Sequence, residues 1–190
     1  MIALRNGVDI HDPLRVAVEF LEQWPDTYEL SRPTSFDERD LRLANRGGAR
    51  ISATEIAAVL ARRRAIEREL RAIPVDASLT EARIPWSELT RLFEAFAGIR
   101  GVGLSKMTKA LHKKRPALIP MLDSVVQAYL PTDASGSFGE QATELVRSYK
   151  QDLDRNRAGL RKLKRELSDR GHELTEVRLL DVLIWSAFSG

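Results

Sequence analysis

Cysteine is absent from the 190 residues, which excludes a disulfide framework, Cys-ligated zinc and iron–sulfur clusters. The three histidines, His11, His112 and His172, lie far apart in the chain, so neither a metal nor another cofactor is expected. There is no long uncharged apolar run, and the opening MIALRNGVDIHDP turns polar within five residues. A soluble, cytoplasmic protein with no membrane partner is the expectation. Low-complexity tracts, internal repeats and alternating strand patterns are missing as well. What remains is a charged chain whose 43% hydrophobic content suffices for one substantial core. Residues 1–190 therefore read as one compact unit, or as two lobes, 1–84 and 85–190, sharing a core.

Helical period dominates, and the helix starts are written locally. Asp12-Pro13 sets a cap and a first-turn proline. Ser35-Phe-Asp-Glu38, Ser52-Ala-Thr-Glu55 and Ser137-Phe-Gly-Glu140 have capping-box spacing, in which the hydroxyl accepts the third amide along and the glutamate reaches back. The first two open helices of about 36–46 and 53–72, separated by Gly47-Gly48. Pro85 opens PWSELTRLFEAFAG, with Leu89, Leu92, Phe93 and Phe96 on one face. Asp123 caps DSVVQAYL, and LTEVRLLDVLIWSAF closes the chain. The expected class is all-α, with about eight helices.

The net charge of +3 conceals a local imbalance. Between residues 98 and 122 stand Arg100, Lys106, Lys109, Lys113, Lys114 and Arg115 with no acid, so this window carries +6 and the remainder −3. At its head, Gly101-Val102-Gly103 permits a sharp turn between two amphipathic helices, with no Cβ on either glycine to block a neighbour. The first amides of the second helix lack intrahelical acceptors and carry the positive end of its dipole, which suits a phosphate. Val102 would point back into the core, while Lys106 and Lys109 add charge beside the turn. The competing reading is a plain turn followed by a solvated helix. The one-signed charge favours phosphate-backbone binding, hence duplex DNA as partner.

The stretch IRGVGLSKMTKA followed by ALIPMLDSVV resembles the hairpin and following helix of the helix-hairpin-helix DNA glycosylase superfamily, endonuclease III type, in which L-P-G-V-G-x-K-T-A precedes V-D-T-H-V. Gly101 and Asp123 are 22 residues apart, which fits that family's spacing, and RLLDVLIWSAFSG is similar to its closing helix. The resemblance covers about the C-terminal half. It implies a glycosylase-like helical bundle and a DNA-binding hairpin of Arg100, Gly101, Val102, Gly103, Ser105, Lys106 and Lys109. It also implies that Asp123 is the carboxylate that would assist hydrolytic release of a base flipped from the stack. Ser105 stands where the strand-cutting members carry lysine, and one helical step turns Lys106 by about 100° away from that direction. A monofunctional glycosylase is implied. The alternative is a DNA-binding module in which Asp123 only caps a helix.

Further residues carry two readings each. Asn45 and Arg46 are pocket candidates if their helix faces the hairpin across a cleft, with Arg50 as a nearby phosphate ligand. Asn45 before Arg-Gly-Gly is otherwise an ordinary helix C-terminal residue. Trp86, Trp185, Phe93 and Phe96 could stack on a base, but their spacing favours core. Arg178 and Asp181 suit a structural pair on a mostly apolar helix. The arginines of 62–71, interleaved with Glu67 and Glu69, read as a solvated face.

Overall fold

A computed structural model describes residues 1–25, 31–131 and 135–189. Ten α-helices are present in this part of the chain: α1 Pro13–Gln23, α2 Glu38–Arg46, α3 Ala53–Ala61, α4 Arg63–Ala72, α5 Trp86–Glu94, α6 Leu104–His112, α7 Ser124–Tyr129, α8 Phe138–Arg155, α9 Arg157–Ser168 and α10 Glu176–Phe188. The all-α class holds. The count exceeds eight partly because the expected 53–72 helix breaks at Arg62, whose guanidinium donates to the carbonyl of Ala97 at 2.7 Å. A short antiparallel pair, β1 Ile2–Ala3 and β2 Asp9–Ile10, was not expected, because two residues per strand are too few to display a period.

The caps explain most helix starts. Asp12 accepts the amide of Arg15, and the boxes Ser52–Glu55 and Ser137–Glu140 form as their spacing predicts. At α2 the box is Asp37–Asp40 instead of Ser35–Glu38; a carboxylate is the stronger acceptor for an amide at a positive helix end. The α5 and α8 backbones approach closely at Gly139, where a Cβ would collide with the carbonyl of Thr90. There the Gly139 amide donates to Glu94 Oε2 at 2.6 Å, and the hydroxyls of Thr90 and Thr143 meet at 2.8 Å.

One hydrophobic cluster runs from Ile2 to Ile184 and draws on both halves of the chain. The N-terminal hairpin is tied onto the α8–α9 corner by polar side chains. Asn156 bonds the Ala3 amide and carbonyl, both at 2.8 Å. Arg5 Nε donates to the buried Asp152 at 2.6 Å, and Asp152 also accepts from the Tyr129 hydroxyl at 2.8 Å.

Two members of the basic window are not surface charges. α6 ends at His112, and the turn after it carries Lys114 and Arg115 inward, to 3% and 0% exposure. Lys114 pairs with Asp40 at 2.6 Å and donates to the Arg32 carbonyl at 2.9 Å. The Arg115 guanidinium donates to the carbonyls of Pro33, Leu70, Ile73 and Lys114 at 2.7–2.8 Å. Leu70 and Ile73 mark the end of α4, so the cation sits at the negative end of that helix dipole. Burial pushes both groups below their ordinary pKa values, and Asp40 partly offsets this for Lys114. The one-signed charge of the window therefore does not all serve phosphate binding, because most acceptors of these two cations lie 40 or more residues away in sequence. Arg115→Met takes the guanidinium donors from four carbonyls, of which Leu70 keeps the Ile73 amide, and is expected to cost about 3–5 kcal/mol of unfolding free energy in urea titrations. A loss below about 1 kcal/mol would refute this role.

Candidate nucleic-acid interface

The turn between α5 and α6 is built from three consecutive tight turns, in which the amides of Phe96, Ile99 and Val102 donate to the carbonyls of Phe93, Phe96 and Ile99. Gly98 at φ 71° and Gly101 at φ 81° occupy the left-handed region that L side chains avoid. Gly101 and Gly103 are exposed, while Val102 is 6% exposed and belongs to the core. Gly103 begins α6 with no side-chain cap, as α4, α5 and α9 also begin, whereas α1, α2, α3, α7, α8 and α10 are each closed by one. Arg100 is exposed, and Ser105, Lys106 and Lys109 are half-buried along α6.

The neighbouring helix completes this face. α2 packs on α6, and the ammonium of Lys109 lies over Gly48, 3.8 Å from where a Cβ would stand. The loop after α2 thereby sets the exposed Arg46 and Arg50 alongside the hairpin. Arg50 holds a positive φ of 54°. Asn45 is the residue that shapes the loop: its amide donates to the Ile51 carbonyl at 2.8 Å and accepts the Ile51 amide at 2.6 Å. Its side chain is thus occupied by backbone and not presented to a pocket.

Lys106 is not an open cation either. Both oxygens of Glu55 meet its ammonium, at 2.7 and 2.8 Å. Glu55 Oε1 also lies so close to Gly101 that a Cβ there would collide with it. This acid comes from α3, 51 residues away. Its part in a capping box was legible, but its contact with the hairpin was not.

Asp123 caps α7, its Oδ1 accepting the amides of Val125 and Val126 at 3.0 Å each. The segment leading to it is buried, and its backbone is satisfied largely by side chains. Thr175 donates to the Pro116 carbonyl, His112 Nδ1 lies 2.6 Å from the Ile119 oxygen, the Met121 amide donates to Asp181, and the Leu122 amide donates to Thr108 on α6. Thr108 lies at the middle of α6, so the half-buried Asp123 directly follows a residue bonded to the midpoint of the helix that the hairpin opens. Its Oδ2 accepts no hydrogen bond among the described residues.

Arg178, Asp181 and Trp185 recur along one face of α10, which packs on α1 and α7. Arg178 lies over the Phe20 ring at 5.5 Å, and Trp185 meets Phe20 edge-on at 5.4 Å. Trp86 is half-buried under the Arg147 guanidinium, and Phe93 and Phe96 are core residues. The arginines of 62–71 are exposed as expected, but Glu69 is 7% exposed and Glu67 accepts the Phe36 amide. No group of three or more His, Asp or Glu among the described residues could hold a metal ion, and no helix there is long and apolar enough to cross a membrane.

The architecture defines an all-α protein in which a glycine hairpin opens α6 and the segment leading to the capping aspartate is bonded to that same helix. A family model described as "Family of unknown function (DUF6308)" matches residues 19–188, and the chain belongs to that family. No curated protein and no solved structure matches it.

Asp181 is fully buried, with Oδ1 unpartnered. Burial raises its pKa to about 7, with the Arg178 charge opposing that rise and the Asp123 charge adding to it. The folded state therefore holds a proton that the unfolded chain releases near pH 4. Between about pH 4 and 7 the native state binds more protons than the unfolded state, so this group's contribution to stability falls as pH rises. Asp181→Asn is expected to flatten that fall, so that the variant gains on wild type from pH 4 to pH 7 in thermal unfolding. Parallel wild-type and variant profiles would refute the assignment.

Proposed function

We propose that this chain binds the sugar–phosphate backbone of duplex DNA through the 98–109 hairpin, in the manner of helix-hairpin-helix proteins. The observation that carries the reading is the turn itself: two exposed glycines flank a valine anchored in the core, ahead of a helix whose first amides have no side-chain cap. Open amides at a positive helix end favour an anion. Arg100 and Lys109, with no acid within ion-pair distance among the described residues, supply charge for further phosphates, and the Arg46–Arg50 loop extends the basic track. Contacts of this kind recognise duplex shape and charge, so binding is indifferent to base sequence.

A second reading, monofunctional DNA N-glycosylase activity, is favoured by the Asp123 carboxylate, which has one oxygen held by two amides and the other open. A fixed carboxylate of this kind can stabilise the positive charge that builds on a sugar as its base leaves. Strand cutting through a Schiff base is not proposed, since residue 105 is serine and Lys106 is ion-paired.

Electrophoretic retention of a short duplex should weaken steeply with salt, and Lys109→Glu should weaken it across all sequences while lowering the salt slope by about one. Absence of retention at low salt would defeat the binding reading. For the enzymatic reading, duplexes carrying uracil, alkylated or oxidised bases should yield abasic sites with wild type and none with Asp123→Asn. If no base is released across that panel, Asp123 is a cap alone, and Asp123→Ala should then cost only about 1 kcal/mol of stability.

A further inference from the structure

We propose that Glu55 is a built-in competitor for the hairpin's phosphate seat, a carboxylate carried from α3 that holds Lys106 and covers Gly101 until a nucleic-acid phosphate displaces it. The inference rests on the backbone-binding reading of the hairpin.

The glutamate of a capping box ordinarily needs one oxygen for the cap amide and leaves the other to solvent. Here Oε2 serves both the Ser52 amide, at 2.8 Å, and the Lys106 ammonium, while Oε1 faces Lys106 from the Gly101 side. Only a residue without a Cβ at position 101 admits that approach. A planar, doubly coordinated anion thus already rests on a hairpin glycine and the first-turn lysine, where a phosphate oxygen would make the same two contacts. The pair is partly exposed, with 23% of the Lys106 side chain and 15% of the Glu55 side chain open to solvent, so an external anion can reach it without unfolding. The bond from Lys106 holds the Glu55 carboxyl below its ordinary pKa, so the contact is charged throughout the neutral range. Arg100 and Lys109 remain available for first encounter, and Lys106 joins the bound state on release.

Glu55→Gln keeps a residue able to complete the capping box and removes the competing charge. Amide resonances of Gly101 and Gly103–Ser105 would be followed by NMR in wild type, E55Q, K106Q and the double variant, titrated first with inorganic phosphate and then with a short duplex. Thermal unfolding would verify that all four are folded. The expected result is a phosphate affinity about fivefold higher in E55Q, with the gain absent when Lys106 is also replaced. Equal phosphate affinity in wild type and E55Q would overturn the proposal. So would a gain that persists in the double variant, since removing a negative charge would then account for it. The duplex arm judges the partner separately: a Lys106-dependent phosphate gain with no duplex binding in any variant leaves the competitor in place and refutes DNA as the ligand.

Discussion

The fold turns on a cation placed where no water reaches it. A guanidinium removed from solvent costs several kcal/mol unless its donors are met, and Arg115 offsets most of that cost with four carbonyls rather than a carboxylate, its Nε alone staying without a partner. Those carbonyls belong to the 31–33 segment, the end of α4 and the turn after α6, so one side chain fixes three separate pieces of chain. The adjoining Lys114–Asp40 pair joins the same turn to α2. Because Asp40 is also the return half of the α2 capping box, the start of α2, the end of α4 and the end of α6 are set relative to one another by two buried cations.

That constraint reaches the site through the segment 116–123. It leaves Arg115, runs through the core at Leu118, Ile119 and Leu122, and ends at Asp123. Each backbone group not in a helix there must find a partner, and the side chains of Thr108, His112, Thr175 and Asp181, from α6 and the α10 end, supply four of them, while others pair locally or with Leu79 and Gln127. Asp181 is costly to bury, and one of its oxygens remains without a partner. The other oxygen holds the Met121 amide, two residues before Asp123. The carboxylate at 123 is therefore positioned by an arginine at one end of the segment and by a protonatable acid near the other.

The features legible in the sequence are those whose partners lie within one helical turn. The caps at Asp12, Ser52, Asp123 and Ser137 depend on amides two or three residues along, and all four form. The Ser35 box failed by competition over the same short range, where Asp37 two positions on is the better acceptor. The glycine turn was legible because φ near +80° leaves few alternatives to glycine. The fate of the basic window was not legible. Lys106, Lys114 and Arg115 look alike beside Lys109 in the chain, yet their partners lie at positions 55, 40, 33, 70 and 73. Only the fold separates these ion-paired or buried cations from Arg100 and Lys109.

This separation gives the two halves of the candidate site different mechanical characters. Asp123 is held by two amides in a backbone that is itself bonded on several sides, so any chemistry it performs relies on a carboxylate that does not need to be repositioned. The Lys106 charge is held instead by one ion pair, Lys106–Glu55, that water still reaches at its edge. If the hairpin binds a phosphate backbone as proposed, its affinity can change through Glu55 without moving the Asp123 carboxylate. The bonds that hold the α7 cap come from Asp123 itself and from the segment before it, not from residues 98–106, so substitutions in the hairpin should leave that cap undisturbed.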